Sequence, residues 1–402
     1  MNHYPNRFLH WSIVVCIYTI GFFLRVSLGA LQDLFRIEFQ CDYTQIGSLS
    51  FIFYLCYAVF QFIGAYISKK IAIDKMFILF NSILILGLLI FISADSFHLL
   101  FLGRAMMGMG SSLNFLYAVV CTRSFFSSTQ VPLYIAILNA CGICGAVFAQ
   151  YPLELGLTIY SWHILLLIPA FTLTFCYILF FIVKTTLPKP LAHIDMDNTQ
   201  HDRVVEKFDL SEIKLLLKWS LIAQIMMLHT ITIPQLWGIL YIEHVHMFSN
   251  VLSAAISTAF FIGGGFGGIV TSSFFQDRKI IKKLSSFMIL QSLSLLLFLM
   301  PLGHSHSSLA FFAFISSFFG SGMLIFFTLI SARYANPAVP LAFFNMSISI
   351  GPAVIQPIIG YLLDILTPIF GLSHALLWVF FLLPCTLLLA AVMLRIRGHN
   401  LL

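Results

Sequence analysis

Two arginines, Arg25 and Arg104, stand inside long apolar runs, and they set the first chemical question. An ionised group in hydrocarbon is expensive, so a guanidinium kept there either binds something or holds something. Its planar fork of donors matches a carboxylate or a phosphate. The pair therefore points to an anionic ligand. The structural alternatives are that Arg25 snorkels or pairs with Asp33 and that Arg104 braces the fold. Side chains able to orient a ligand recur at helical spacing. Tyr54 and Tyr57, with Gln61, form one stripe. Asn114 flanks the face that carries Arg104, Gly108, Ser111 and Phe115, while Tyr117 points away. Gln224 and Gln235 share another stripe, interrupted by the kink-forming Pro234. His229 lies near the middle of the same run and is the candidate proton carrier. The acids Asp33, Glu154, Glu243 and Asp364 all fall near run ends, so proton coupling rests on His229, on one of these acids, or does not occur.

A second constellation is an internal echo. The segment VPLAFFNMSISIGPAVIQPIIGYLLD, which opens at Val339, is matched by VPLYIAILNACGICGAVFAQYPLELG, which opens at Val131. An offset of 206 residues lays Asn345 on Asn139, Gly351 on Gly145 and Gln356 on Gln150. Pro357 and Pro152 each follow their glutamine within two residues. On a helix Asn345 and Gln356 lie on one face, roughly 16 Å apart. They are second-choice ligands behind the arginines. Gly145, Pro152, Gly351, Pro357 and Gly360 read as close packing and bending.

The elements that must position these groups follow from composition. The chain has 402 residues, 60% hydrophobic and only 9% charged, with mean hydropathy +0.99. Soluble domains carry about a quarter charged residues, so this is a polytopic membrane protein. The net charge of +6 sits in short loops and is not a nucleic-acid signal. Twelve apolar runs near 20 residues are visible, centred on 8–32, 43–67, 75–95, 97–121, 131–156, 163–185, 213–241, 250–274, 283–301, 307–332, 339–364 and 374–396. Each must be a helix, since hydrocarbon offers the backbone no other partner. Arginine and lysine crowd the termini and alternate loops, whereas the opposite loops hold only Arg36. Both termini are therefore expected on the cytoplasmic side.

The polar stretch 186–212 divides the chain into a six-helix bundle, 1–185, and a second, 213–402. Asp209 and Glu212 have capping-box spacing where the seventh helix opens. No signal peptide is read: the first run is too long for one and contains Arg25. The eight cysteines are expected as free thiols, and Cys141 and Cys144 as a small-residue helix contact. The glycines at 263–265, 267 and 268 are expected to pack helices at the interface between halves, not to cradle a nucleotide. His98, His244, His246, His304, His306 and His374 decorate the outer loops. They could titrate, bind a metal transiently, or simply lie at the interface.

Two six-helix halves, a central loop and internal termini resemble the major facilitator superfamily of secondary transporters. The resemblance sharpens at Arg104, Gly108 and Gly110, which look like that superfamily's fourth-helix motif. Its loop motif is degraded: Gly64, Lys69 and Lys70 remain after helix 2 with Ser68 at the acid position, and Asp277 and Arg278 remain after helix 8. The segments FFLRVS at Phe22–Ser27, Tyr54–Tyr57–Gln61, Gln-Tyr-Pro and Gln-Pro-x-x-Gly look like a branch that includes phagosomal nutrient transporters and some siderophore carriers of intracellular bacteria. The resemblance implies cavity-lining helices 1, 4, 7 and 10, with a substrate site near the midplane between the halves.

The expectation is a multi-pass, monomeric protein of a bacterial inner membrane with no cofactor and no metal. It would import a small anionic or zwitterionic solute by alternating access, with protons as a candidate co-substrate. Arg25 would bind the anion, helped by Arg104, while Tyr54, Tyr57, Asn114, Gln224, Gln235, Asn345 and Gln356 would orient it. Gly108, Gly110, Asp277 and Arg278 would join the glycines and prolines of the repeat in conformational change. Efflux ranks lower because the fifth helix lacks the Gly-Pro-x-x-Gly-Gly run of many antiporters. A non-transporting sensor is the alternative from another class. An enzyme is not expected, since no acid pair, metal cluster or nucleophile set shares a depth.

Overall fold

The computed structural model describes residues 4–67, 71–184, 210–274, 280–334 and 338–397. Among these the regular structure is helical, with no strand. Twelve helices are long and apolar enough to cross a bilayer. Spans 1 to 6 are Asn6–Val26, Tyr43–Gly64, Ile73–Ile92, Phe97–Phe125, Val131–Leu157 and Trp162–Lys184. Spans 7 to 12 are Ser211–His246, Asn250–Thr271, Ile280–Leu299, His306–Arg333, Pro340–Phe370 and Leu372–Ile396. The all-α, twelve-span fold read from the sequence is the fold found. The glycine, serine and proline residues inside the runs shape the helices without ending them as spans.

The break of span 1 recurs in span 7. Span 1 stops at a turn on Ser27, after which the helix Leu28–Glu38 continues. Span 7 loosens into a π turn at Ile233–Trp237, which begins 206 residues after Ser27, the offset of the sequence echo. Pro234 lacks the N–H that an α turn would use there. Span 4 is parted into Phe97–Ser111 and Asn114–Phe125. At that break Ser111 and Ser112 donate their hydroxyls to the Met107 and Met109 carbonyls at 2.8 and 2.7 Å, competing with the helix ladder. Span 10 tightens to a 3-10 turn at Ser321–Leu324. Spans 5 and 11 differ: span 5 is parted into Val131–Phe148 and Tyr151–Leu157, whereas Ala338–Phe370 runs unbroken through Pro352, Pro357 and Pro368.

The helices gather into two compact units. One holds the chain up to Arg25, then Ile52–Phe148, then the chain from Gly156 through span 6. The other holds Val26–Phe51, Ala149–Leu155 and the described chain from Leu210 onward.

In the first unit, span 4 is pressed between spans 2 and 3. A Cβ on Gly108 would collide with the Phe53 carbonyl, and one on Gly110 with the Leu84 backbone. Gly145 meets the Thr19 carbonyl in the same way. Such contacts let backbones approach as only glycine permits. In the second unit, Gly263 and Gly267 meet the Phe314 and Phe318 carbonyls of span 10. This corrects the expectation that the glycine run lies between the halves: it joins spans 8 and 10 of one unit, whose backbones fill the space side chains would need.

Gly351 lies against the Gln224 side chain and Gly360 against the Tyr43 carbonyl. Pro152 sits in the first turn of Tyr151–Leu157, where its missing N–H costs nothing. Asp277, Arg278, Ser68, Lys69, Lys70, Asp209 and the stretch 186–209 lie outside the described residues.

Candidate functional site

Arg25 occupies the last turn of span 1, and aromatic rings surround its guanidinium. Its Cζ lies 4.2 Å from the Tyr57 ring centroid, 4.5 Å from Phe22 and 5.8 Å from Tyr54. Cation–π contacts of this kind contribute about 0.5–2 kcal/mol and leave the in-plane N–H groups for an acceptor. The buried Nε of Arg25 has no hydrogen-bond partner within the protein, and neither does the buried hydroxyl of Tyr54. Asn114 Oδ1 accepts from Asn81 at 3.0 Å, while Asn114 Nδ2 is left unbonded. That nitrogen faces Gly21, one helical turn before Arg25. Spans 1, 2 and 4 of the first unit thus bring together the predicted set Arg25, Tyr54, Tyr57 and Asn114.

Arg104 is fully buried over the Phe53 ring, 4.5 Å from its centroid. Its Nη1 donates to the Leu24 carbonyl at 2.7 Å and Nη2 to the Arg25 carbonyl at 3.5 Å. Those carbonyls lie in the last turn of span 1, just before the break at Ser27. A cation there also meets the negative end of the helix dipole. Arg104 therefore holds the backbone on which Arg25 is mounted.

In the second unit, Gln224 Nε2 donates to the Ser347 carbonyl at 2.7 Å, joining spans 7 and 11. Gln235 keeps Oε1 buried and unbonded. The Asn345 carbonyl accepts from Ser349 at 2.8 Å. Gln356 and its echo Gln150 are both fully buried, and neither amide atom of either residue is bonded. His229 is fully buried, with Gln291 Nε2 3.0 Å from its ring nitrogens. To receive that donor the imidazole must be neutral. The same Gln291 nitrogen also donates to the Met226 carbonyl at 2.7 Å, so His229 and Gln291 form a closed interior contact between spans 7 and 9.

The loop ends poor in lysine and arginine hold a constellation that sequence reasoning missed. Asp364, near the far end of span 11, accepts from the Tyr43 and Thr44 N–H groups at 2.9 and 2.8 Å and from the Thr44 hydroxyl at 2.6 Å. Asp42 accepts from the Gln45 N–H at 2.6 Å, and Gln45 Oε1 receives the Asp42 N–H at 3.0 Å. That reciprocal pair is a capping box, so the first three N–H groups of span 2 are all satisfied. Arg36 stacks on the Tyr43 ring at 3.6 Å and donates to its hydroxyl at 2.7 Å. Burial pushes the Asp33 carboxyl above its ordinary range, against the opposing pull of Arg36 and His244.

A second missed group lies in the first unit. Asp74, nearly fully buried, accepts from Tyr117 at 3.0 Å and pairs with Lys184 at 3.1 Å. His10 Nε2 lies 3.3 Å from the Tyr117 hydroxyl. The available signal was an acid at the mouth of an apolar run. Its partners come from spans 1, 4 and 6, and sequence distance hides them.

Glu212 is paired bidentately with Arg333 at 2.8 and 3.1 Å and receives the Tyr334 hydroxyl at 2.5 Å. Its carboxylate joins the start of span 7 to the end of span 10, while Asp209, the other member of the capping-box expectation, lies outside the described residues. Burial, then the Glu212 carboxylate, pushes the Tyr334 hydroxyl up to about 12. His246 and His304 meet the Phe298 and Leu297 carbonyls at 2.9 and 3.1 Å. Among the described residues no group of three His, Cys, Asp or Glu is placed to hold a metal ion.

Twelve helices long and apolar enough to cross a bilayer define a polytopic membrane protein, and comparison with known proteins gives its family. The sequence profile of the Major Facilitator Superfamily matches residues 11–354, and the chain belongs to that superfamily. It is a multi-pass transporter and not an enzyme. Among solved structures, the chain is similar to a nucleoside transporter, NupG, with TM-score 0.75, 12% identity, and 98% of this chain and 99% of that chain covered. It is also similar to a bacterial homolog of the human lysosomal transporter Spinster in an inward-facing, occupied conformation, with TM-score 0.73, 14% identity, and coverage of 99% and 98%. A D-xylose-proton symporter gives TM-score 0.71, 12% identity, and coverage of 96% and 97%. At these identities the likeness is one of fold. Comparison with curated protein sequences finds no significant match.

Proposed function

We propose that this transporter carries a small anionic or zwitterionic solute, of the amino acid, nucleoside, organic anion or polycarboxylate class, with Arg25 as the group that binds its negative charge. The observation that carries the reading is the orphaned Nε of a guanidinium held among Phe22, Tyr54 and Tyr57. A buried donor left without an acceptor costs about 1–3 kcal/mol. An anionic substrate would supply the acceptor, and a flat or apolar substrate body would meet the rings. Arg104 contributes by fixing the carbonyls at the end of span 1. Tyr54, Tyr57 and Asn114 orient the ligand beside Arg25. The closed surroundings of His229 favour packing over proton transfer.

Import by alternating access through a bacterial inner membrane, with two six-span halves as the moving parts and both termini in the cytoplasm, is the accompanying proposal. It is supported by the arginine and lysine asymmetry of the loops and by the breaks of spans 1 and 7, which begin 206 residues apart. The test is a thermal-shift screen of amino acids, nucleosides, phosphates and polycarboxylates on the purified chain. Anionic or zwitterionic compounds should stabilise the wild type and not R25A. Stabilisation by neutral apolar compounds alone would end the anion reading.

A further inference from the structure

The second donor near Arg25 is set in place by a residue one helix further away. Asn81, on span 3, and Asn114, on span 4, are both fully buried. Asn81 Nδ2 donates to the Phe77 carbonyl of its own helix at 2.9 Å and to Asn114 Oδ1 at 3.0 Å. The Phe77 carbonyl decides which way the first amide faces. Turned over, Asn81 would set its oxygen against the Phe77 oxygen, acceptor to acceptor. It keeps this orientation although its own Oδ1 is unbonded. Asn81 in turn decides the second amide, since Asn114 must meet its N–H with Oδ1. The end of Asn114 that remains is therefore Nδ2, a donor without a partner, and it faces Gly21.

The neighbouring polar groups are engaged elsewhere. Ser111, which also faces Gly21, gives its hydroxyl to the Met107 carbonyl. Arg104 gives its terminal nitrogens to the Leu24 and Arg25 carbonyls. Arg25 Nε and Asn114 Nδ2 remain, which can only donate, with the Tyr54 hydroxyl, which can donate or accept. Among the described residues of the first unit the only acids are Asp74 and Asp95. Asp74 is taken by Lys184 and Tyr117, and Asp95 lies in the connection between spans 3 and 4. The first unit thus offers an ammonium no carboxylate here. Gly21 stands one helical turn before Arg25, about 5.4 Å along the axis. A carboxylate or phosphate can give one oxygen to each donor across such a gap.

We infer that Asn81 is a positioning residue for an anion subsite of two donors, Arg25 Nε and Asn114 Nδ2. It does not touch the ligand. It holds the Asn114 amide with the donating end toward the Gly21–Arg25 turn. The ligand end bound there is a bare carboxylate or phosphate, with one oxygen on each donor and no ammonium beside it. A turned amide would present Oδ1 instead, which repels the anion and offers Arg25 a competing acceptor. The inference rests on the reading of Arg25 as the anion-binding group, and narrows the end of the solute held by the first unit from zwitterion to anion.

The test uses azide, a linear anion with an acceptor at each end, bound to the full chain in liposomes and read by its infrared stretch. Wild type should bind it saturably and R25A should not. N114L and N81L should each weaken binding about tenfold or more, the size of one hydrogen bond to an anion. N81L/N114L should be no weaker than N114L, because Asn81 acts only through Asn114. Acetate or inorganic phosphate should displace azide, the lower concentration naming the anion. Acetamide should not displace it, and glycine should do so less well than acetate. Additive losses in N81L/N114L, unchanged binding in N81L, or no saturable binding in wild type would overturn the inference. Displacement by acetamide or glycine equal to that by acetate would overturn it too. Should N81L fail to fold, N114D decides. Its carboxylate would take the Asn81 N–H and put its second oxygen on Arg25, abolishing azide binding while raising thermal stability. Undiminished azide binding in N114D would overturn the inference. Loss of azide in R25A with wild-type binding in N81L and N114L would sink this inference alone. Wild-type binding in R25A would end the Arg25 reading as well.

Discussion

Removing the Asp364 carboxylate tests how the start of span 2 is held. In D364A the Tyr43 and Thr44 N–H groups lose acceptors at 2.9 and 2.8 Å, and the Thr44 hydroxyl loses one at 2.6 Å. The Gln45 N–H keeps its own acceptor, Asp42. Hydrogen bonds to a charged group contribute about 1.5–3 kcal/mol each, and loss of a helix cap costs about 0.5–2 kcal/mol. The site is half-buried, so water recovers part of what is lost, and a net of about 2 kcal/mol is expected. Since 1.4 kcal/mol is tenfold in an equilibrium constant, local opening at Tyr43 and Thr44 should rise about 30-fold. Amide hydrogen exchange measured on a peptide covering residues 40–50 reads this directly, with the helix interior of span 9 as the internal standard. D364N, which keeps one acceptor oxygen, should fall between wild type and D364A. Unchanged exchange at Tyr43 and Thr44 in D364A would refute the assignment. An equal rise in span 9 would show global destabilisation and refute it as well.

Other outcomes follow from the same geometry. G360A should destabilise the chain by about 1–3 kcal/mol in thermal unfolding, because a Cβ there collides with the Tyr43 carbonyl. R104A should lower thermal stability far more than R25A, since Arg104 caps the Leu24 carbonyl and Arg25 Nε bonds nothing in the protein; equal losses would contradict these roles. K184A leaves the nearly buried Asp74 without its cation and should cost about 3 kcal/mol, with D74N/K184A recovering part of it in the same unfolding assay. The folded protein holds the Asp33 proton more tightly than the unfolded chain does, so this group's contribution to stability falls as pH rises above about 4, the unfolded value. D33N should flatten that part of the stability–pH curve and raise stability at neutral pH.

What the sequence revealed and what it hid divide along one physical line. Hydrocarbon imposes helix on every apolar run, so the twelve spans were legible from composition and run length. The close-packed glycines were legible too, because a glycine cluster in a membrane helix has few other uses. Its partner was not: whether Gly263 meets span 10 or a distant helix depends on three-dimensional neighbours. The same applies to Arg104. Its burial could be read from its place in an apolar run, but its attachment to the Leu24 carbonyl depends on where span 1 breaks, and the break at Ser27 carries no proline or glycine to announce it. Glu154 and Asp364 looked alike as acids at run ends, and Asp74 was not singled out. Only the fold distinguishes an ion-paired buried acid from an unpaired one, and both from a cap on another helix.

The Asp364 cap also bears on how the protein is made. The carboxylate that completes the first turn of span 2 lies 320 residues further along the chain than Thr44. At about 5–20 residues per second of synthesis, roughly 15–60 s pass between the emergence of one partner and the other. Through that interval span 2 is inserted with Asp42 as its only cap, and two of its amides must be served by water or lipid headgroups. Its first turn is therefore a late-maturing part of an early-made helix, completed only when nearly the whole chain has left the ribosome.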